Sequence, residues 1–263
     1  MGEITLDLLA GLHVAVHGRR STVPEGSKRL LAYVALHGGR VERRRTAKVL
    51  WPGVEPHRAA GNLRSVTWRL RCAGLPLIQV GDGWLSLACG VRVDVDDVRA
   101  WVCRVSVGRP CTGDLDVRPG ALQALDLLPG WYDEWVLQQR EDLRQQVLYA
   151  IDALSGLLVA AGRYGEAIEA ALSAVSAEPL RESAQRALIE AHLAEGNRCE
   201  AWRSFVRYRD LLAGELGVRP TSELRSLVLF APPAVVPSGR RAGLTTGAVP
   251  RRPVRCTRLV PTA

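Results

Sequence analysis

The stretch AAGRYGEAI at residues 160–168 recurs as AEGNRCEAW at residues 194–202, which sets Gly162 against Gly196, Glu166 against Glu200 and Ala167 against Ala201, each 34 residues apart. Thirty-four residues is the period of tetratricopeptide helix pairs, so the recurrence restricts this half of the chain to stacked helices. The spacing around it agrees. Leu143, Val147, Ile151, Leu154 and Leu158 step by four, four, three and four, the stripe of one long helix. Shorter helices are predicted near 164–177, 182–195 and 198–213. Tyr164, Ala174 and Pro179 supply the aromatic, small and helix-ending positions of the first repeat, while the second offers Tyr208 and Ala213. Small residues at Ala167 and Ala174 let paired helices approach closely.

The first 95 residues obey a different rhythm. ITLDLLAG and HVAVHG alternate apolar and polar residues between turns at Gly11 and Gly18, which predicts a small antiparallel sheet over Ile4–Val23. KRLLAYVALHGG carries Leu30, Leu31, Val34 and Ala35 at helical spacing and stops at Gly38-Gly39. A short helix over Arg43–Trp51 ends at Pro52-Gly53, and a third runs from about His57 to Cys72. LPLIQV and WLSLA around Gly81-Asp82-Gly83 read as a hairpin. Sheet, three helices and hairpin in that order describe a winged helix of the OmpR type. The expected fold is therefore two-domain: an α+β winged helix at 1–95, an all-α tetratricopeptide-like domain at 96–230, and a disordered basic tail at 231–263 that is rich in Pro, Gly and Arg.

Charge also divides along the chain, with its first break inside the winged-helix segment at residue 71. Residues 1–71 carry 13 Lys/Arg against 5 Asp/Glu, residues 72–230 carry 16 against 22, and residues 231–263 carry 6 against none. A basic first segment beside an acidic one suits binding to a phosphate backbone through one half only. Six cysteines without a CxxC pair and five scattered histidines indicate neither zinc nor a disulfide framework. His13 and His17 could share a strand face but lack a third ligand. With no GxxxxGK[ST], GxGxxG or GxSxG motif, an enzyme is not expected, nor is a cofactor. Asp94, Asp96 and Asp97 fit helix capping and dipole charges. No run nears the roughly 18 apolar residues of a membrane span, so the expected location is the cytoplasm, at the nucleoid.

HRAAGNLRSVTWRLR, residues 57–71, carries the chemistry. Leu63, Val66, Thr67 and Leu70 fall in one sector of the helix and pack inward, leaving Gly61, Arg64, Ser65, Trp68 and Arg69 outward. A helix of this kind enters a major groove, where arginine can donate two hydrogen bonds to guanine and serine or asparagine can hold a phosphate or base edge. The candidate contacts with double-stranded DNA are Asn62, Arg64, Ser65, Trp68, Arg69 and Arg71 on this helix. Arg43, Arg44, Arg45 and Lys48 on the preceding one are backbone candidates. Trp68 either stacks on DNA or packs against wing or sheet. The hairpin tip would approach the minor groove, but it carries Asp82, an acid.

These residues also carry a family resemblance. RLLAYVALHGGRVERRR, KVLWP and GNLRSVTWRLR resemble the DNA-binding domain of the Streptomyces antibiotic regulatory protein (SARP) family. LLPGWYDEWVLQQREDLRQQ, AAGRYGEAIEAALSAVSAEPLRESAQRALIEAHLAEGN and ELGVRPTSEL resemble the bacterial transcriptional activation domain that follows it there. The resemblance spans about residues 4–229. It implies an activator that binds direct repeats near promoters, often of secondary-metabolite clusters, and contacts RNA polymerase holoenzyme; a homo-oligomer on DNA is a separate expectation. The missing phosphate loop implies a small member without an ATPase module. Thr46 stands where relatives have an aliphatic residue, which predicts looser packing of the second helix.

Two other readings remain from the residues: a helical interaction adaptor with the winged helix as docking module, and a regulator gated by a small molecule in the helical domain. The acidic charge of the helical half assigns it activation and protomer contacts, so a fragment ending near Val105 is expected to keep DNA binding and lose activation.

Overall fold

The computed structural model describes residues 4–116, 121, 122 and 124–229. The expected disordered tail at 231–263 lies outside the described residues. The chain opens with β1 (Ile4–Asp7), β2 (His13–Val16) and β3 (Arg19–Ser21), then α1 (Glu25–Leu36), β4 (Val41–Glu42), α2 (Arg43–Leu50) and α3 (Pro56–Cys72). The hairpin β5 (Ile78–Val80) and β6 (Trp84–Leu87) follows, then β7 (Val91–Val93) and α4 (Asp94–Ser106).

The N-terminal sheet has the order β3-β2-β1-β7. Its first three strands pair antiparallel as the alternation predicts, but β7 adds a parallel partner, with Ile4 opposite Val91 and Leu6 opposite Val93. His17 (φ 53°) and Gly18 (φ 74°) form the turn between β2 and β3. Two successive positive φ values mark a tight hairpin turn of primed type. His17 is therefore a turn residue and does not share the strand face of His13. The second sheet, β4-β6-β5, is the wing.

Asp94 closes this assembly. Its Oδ1 accepts from the Leu8 and Val95 amides at 3.0 and 2.8 Å, and its Oδ2 from Leu8 and Leu9 at 2.9 and 3.0 Å. The N-cap residue of α4 is Val93 and no side chain caps the helix, so in place of the expected cap the Asp94 carboxylate joins the first turn to the chain where it leaves β1. Burial pushes the Asp94 carboxyl up, while the three amides pull the other way. Asp96 and Asp97 pair with Arg99 and Arg92.

The helical half begins within the same core. Trp101 of α4 is fully buried and its Nε1 donates to the Asp114 carbonyl at 3.1 Å. Arg104 meets the Asp114 carboxylate at 2.6 and 2.9 Å, fixing a 3₁₀ turn at Thr112–Asp114. Leu128 donates its amide to the Leu8 carbonyl at 3.1 Å, Arg29 of α1 pairs with Asp133, and Tyr33 of α1 meets the Trp135 ring edge-on at 5.3 Å between centroids. One apolar core runs from Leu6 and Leu8 through Val98 and Trp101 to Val147 and Ile151.

Beyond it lie α5 (Glu134–Ala160), α6 (Tyr164–Ala177), α7 (Glu182–Glu195), α8 (Arg198–Leu216) and α9 (Ser222–Leu229). The sequence repeat proves to be a repeat of turn geometry: Gly162 and Gly196 both leave a helix end at positive φ, 74° and 88°. Asn197 then accepts from the Glu200 amide at 3.2 Å and starts α8. Ala167, Ala174 and Ala201 are buried at the helix contacts. Among the described residues no helix is long and apolar enough to cross a membrane.

Candidate nucleic-acid interface

Pro56 at the first position of α3 needs no amide partner there, and Ala59, Leu63, Val66 and Leu70 turn the helix onto the core. The Ser27 hydroxyl of α1 donates to the Val66 carbonyl at 3.3 Å and holds the two helices together. Thr67, expected inward, is half-buried and donates to the Leu63 and Arg64 carbonyls at 3.0 and 2.8 Å. Asn62, Arg64, Ser65, Trp68, Arg69 and Arg71 are all exposed.

Exposure removes one of the two readings of Trp68. Its side chain is 65% exposed, so it packs on neither wing nor sheet and leaves a large indole in water among cations. Burying such a ring contributes more to an interface than most side chains can. The two arginines that flank it differ. Arg64 lies back along its own helix, with Nη2 close over Gly61, whereas Nη1 of Arg69 lies over Gly26 in the first turn of α1. A methyl group at Gly26 would stand 3.1 Å from that nitrogen. Arg71 sits at the end of α3, where a cation complements the helix dipole.

The cations of α2 also separate. Arg44, Arg45 and Lys48 are exposed and Arg43 is half-buried. Arg43, Arg44 and Lys48 border a cavity of about 790 Å³ between α2, the following turn, the first turns of α3 and Gly83 of the wing. Arg45 lies apart from it; its charge reaches Tyr33 of α1, whose hydroxyl is pushed up by burial and down by this guanidinium. The helix begins with three arginines, no acid in its first turn and no side-chain cap on Glu42. Each cation there opposes the helix dipole by about 0.3–1 kcal/mol, a local conflict that an incoming anion would relieve.

The wing completes this surface. Gly83 accepts the Arg43 amide at 3.0 Å, so the hairpin tip satisfies the first amide of α2. Gly81 lies against the Trp84 indole so closely that a Cβ would stand 2.0 Å from Cε2. The Arg40 guanidinium covers that ring at 4.3 Å from its centroid. Neither Arg40 nor the cavity was legible from local pattern; the Trp after the turn was the available signal. Asp82 is exposed at the tip. Thr46, where looser packing was expected, is fully buried and donates to the Glu42 carbonyl at 2.8 Å, so its hydroxyl is satisfied within the helix.

Cys72, Cys89, Cys103, Cys111 and Cys199 are exposed thiols. Among the described residues no group of three or more His, Cys, Asp or Glu side chains is placed to hold a metal.

Comparison with known proteins bears on each half. Residues 121–229 match the family model of the bacterial transcriptional activator domain. A stretch of 105 residues is 33% identical to the regulatory protein AfsR of Streptomyces griseus, covering 40% of this chain and 10% of that protein. Among solved structures the chain resembles Mycobacterium tuberculosis EmbR, determined with a low-affinity phosphopeptide, at a TM-score of 0.68 and 20% identity over 88% of this chain and 65% of that one. The chain thus spans a tenth of the AfsR length and just under two thirds of the EmbR chain, and the EmbR likeness is one of fold.

Proposed function

We propose that this chain, a SARP-type regulator with a bacterial transcriptional activator domain over residues 121–229, binds specific double-stranded DNA through α3 and activates transcription through its helical half. The observation that carries the reading is the exposed row Asn62, Arg64, Ser65 and Trp68 on a helix whose other side is fixed in the core. Arg64 and Trp68 contact base edges, with the indole against a thymine methyl or sugar. Arg43, Arg44 and Lys48 take backbone phosphates on one side of α3, and Arg69 and Arg71 on the other. Arg45 has the weakest claim, since it lies apart from the cavity that Arg43, Arg44 and Lys48 border.

The helical half, net acidic over 72–230, repels DNA and is left to protein partners. RNA polymerase holoenzyme is the proposed partner, with further copies of the chain on neighbouring direct repeats. Control of a secondary-metabolite cluster from the cytoplasm belongs to the same proposal, as does the division of labour near residue 95.

The experiment is genome-wide mapping of DNA occupancy, followed by titration of the full chain on a recovered site and in vitro transcription at saturating occupancy. Specific sites upstream of genes, and transcripts that rise with added protein, are expected. Binding that is indifferent to sequence would overturn the α3 assignment. Specific binding without a rise in transcripts would overturn activation.

A further inference from the structure

The cavity beside α2 has two characters that DNA alone does not satisfy. One wall is apolar, built by half-buried Trp51, by Val54 at 39% exposure and by Leu63 at its floor. The rim is cationic, with Arg44 and Lys48 one helical turn apart on α2 and Arg43 beside them, and no Asp or Glu among the described residues that line it. A duplex backbone can meet the rim, but its sugars and phosphates leave the apolar wall in water. Its volume of about 790 Å³ falls in the range of small-molecule sites, roughly 300–1,000 Å³.

We infer that this cavity binds a small amphipathic anion, an apolar body against Trp51, Val54 and Leu63 with a carboxylate, sulfonate or phosphate ester between Arg44 and Lys48. The start of α2, which carries no side-chain cap, adds the positive end of its dipole to the same corner. Its regulatory consequence rests on the DNA-binding reading above. The cations that hold the ligand are those proposed to hold phosphates, so ligand and duplex exclude one another and the ligand acts as a release signal.

The test uses the full chain and three probes: anilinonaphthalene sulfonate, its uncharged relative N-phenylnaphthylamine, and inorganic phosphate. Saturable sulfonate binding at one site is expected, about tenfold tighter than the uncharged ring and not displaced by equimolar phosphate. Arg44→Ala with Lys48→Ala should lower sulfonate affinity about tenfold and leave the uncharged ring unaffected. Ala60→Phe, on the cavity wall, should abolish binding of both rings. Unchanged sulfonate affinity in the double variant overturns the site, and this holds even if Ala60→Phe fails to fold by thermal melting. Duplex added at low salt should release the dye. A duplex that binds without releasing it overturns the regulatory coupling while the site stands. A duplex that does not bind at all overturns the DNA reading, and the site is then judged on the dye alone.

Discussion

The two halves of the molecule treat their arginines in opposite ways. In the helical half five guanidiniums are spent on internal ion pairs: Arg104 on Asp114, Arg140 on Asp126, Arg144 on Glu178, Arg163 on Glu166 and Arg181 on Asp152. On α2 and α3, among the described residues, Arg43, Arg44, Arg45, Lys48, Arg64, Arg69 and Arg71 have no ion pair. Paired cations contribute to the fold, whereas unpaired ones gathered on one surface repel each other and are retained where an external anion will neutralise them. The comparison therefore separates residues by what their loss should damage, stability in one half and binding in the other.

The largest effect tests whether the halves, unlike in charge use, can be separated at all. A fragment ending at Val105 would lose the cover of Trp101, the amide of Leu128 on the Leu8 carbonyl and the Asp133 partner of Arg29. We expect it to unfold without a cooperative transition and to lose DNA binding with it, in contrast to the fragment expected from charge alone. A cooperative melt and retained binding would show that the winged helix stands on its own core.

Next comes Arg181→Leu. Arg181 and Asp152 are nearly buried, at 3.4 Å, and Asp152 also accepts from Ser183 at 2.7 Å. Burial nonetheless dominates and pushes the Asp152 carboxyl up against the pull of both partners. Removing the guanidinium should cost about 3 kcal/mol at pH 8, since a buried carboxylate is left uncompensated. A carboxyl with a raised folded pKa is penalised when charged, so the deficit relative to the parent should shrink as pH falls through that pKa. Urea unfolding across pH measures it; a deficit that ignores pH would remove Asp152 from the account.

For the other half the signs reverse. Arg64→Ala should cost about 1–3 kcal/mol in affinity for the cognate site and relax its sequence preference, with stability changed by less than about 0.5 kcal/mol. Arg69→Ala, whose guanidinium rests over α1, should cost less and weaken all sequences alike. Equal losses would mean that Arg69 swings away from Gly26 to read bases.

How far the sequence revealed this division depends on the range of the signal. The inward face of α3 and the helices around the 34-residue repeat were legible because their information lies within one or two turns: Leu63, Val66 and Leu70 recur at helical spacing, and Gly162 and Gly196 mark the same turn twice. The strand β7 was not, because Val91–Val93 is three residues with an arginine at its centre and is a strand only by virtue of pairing with β1. The same holds for Asp94, whose partners lie 85 and 86 residues away, and for the cavity, whose walls come from α2, α3 and the wing. Exposure of Trp68 could not be read either, because a tryptophan on a polar helix face is equally consistent with packing under a neighbouring element.

The smallest effect separates the two uses of charge most cleanly, because one substitution should move stability and binding in opposite directions. Arg44 is exposed in the first turn of α2, where no acid and no side-chain cap offset the helix dipole. Arg44→Glu replaces an unfavourable charge with a favourable one and should stabilise the chain by about 0.5–1 kcal/mol in low salt, an increment that disappears as salt screens it. The same change removes a proposed phosphate contact, so affinity for all duplexes should fall together and the slope of log K against log salt should flatten by about one unit. Thermal melts and salt-dependent titrations on the same preparation read both numbers. A variant that gains stability and keeps the parent's salt slope would place the DNA backbone away from Arg44, and a variant that loses both would mean that this arginine holds the fold after all.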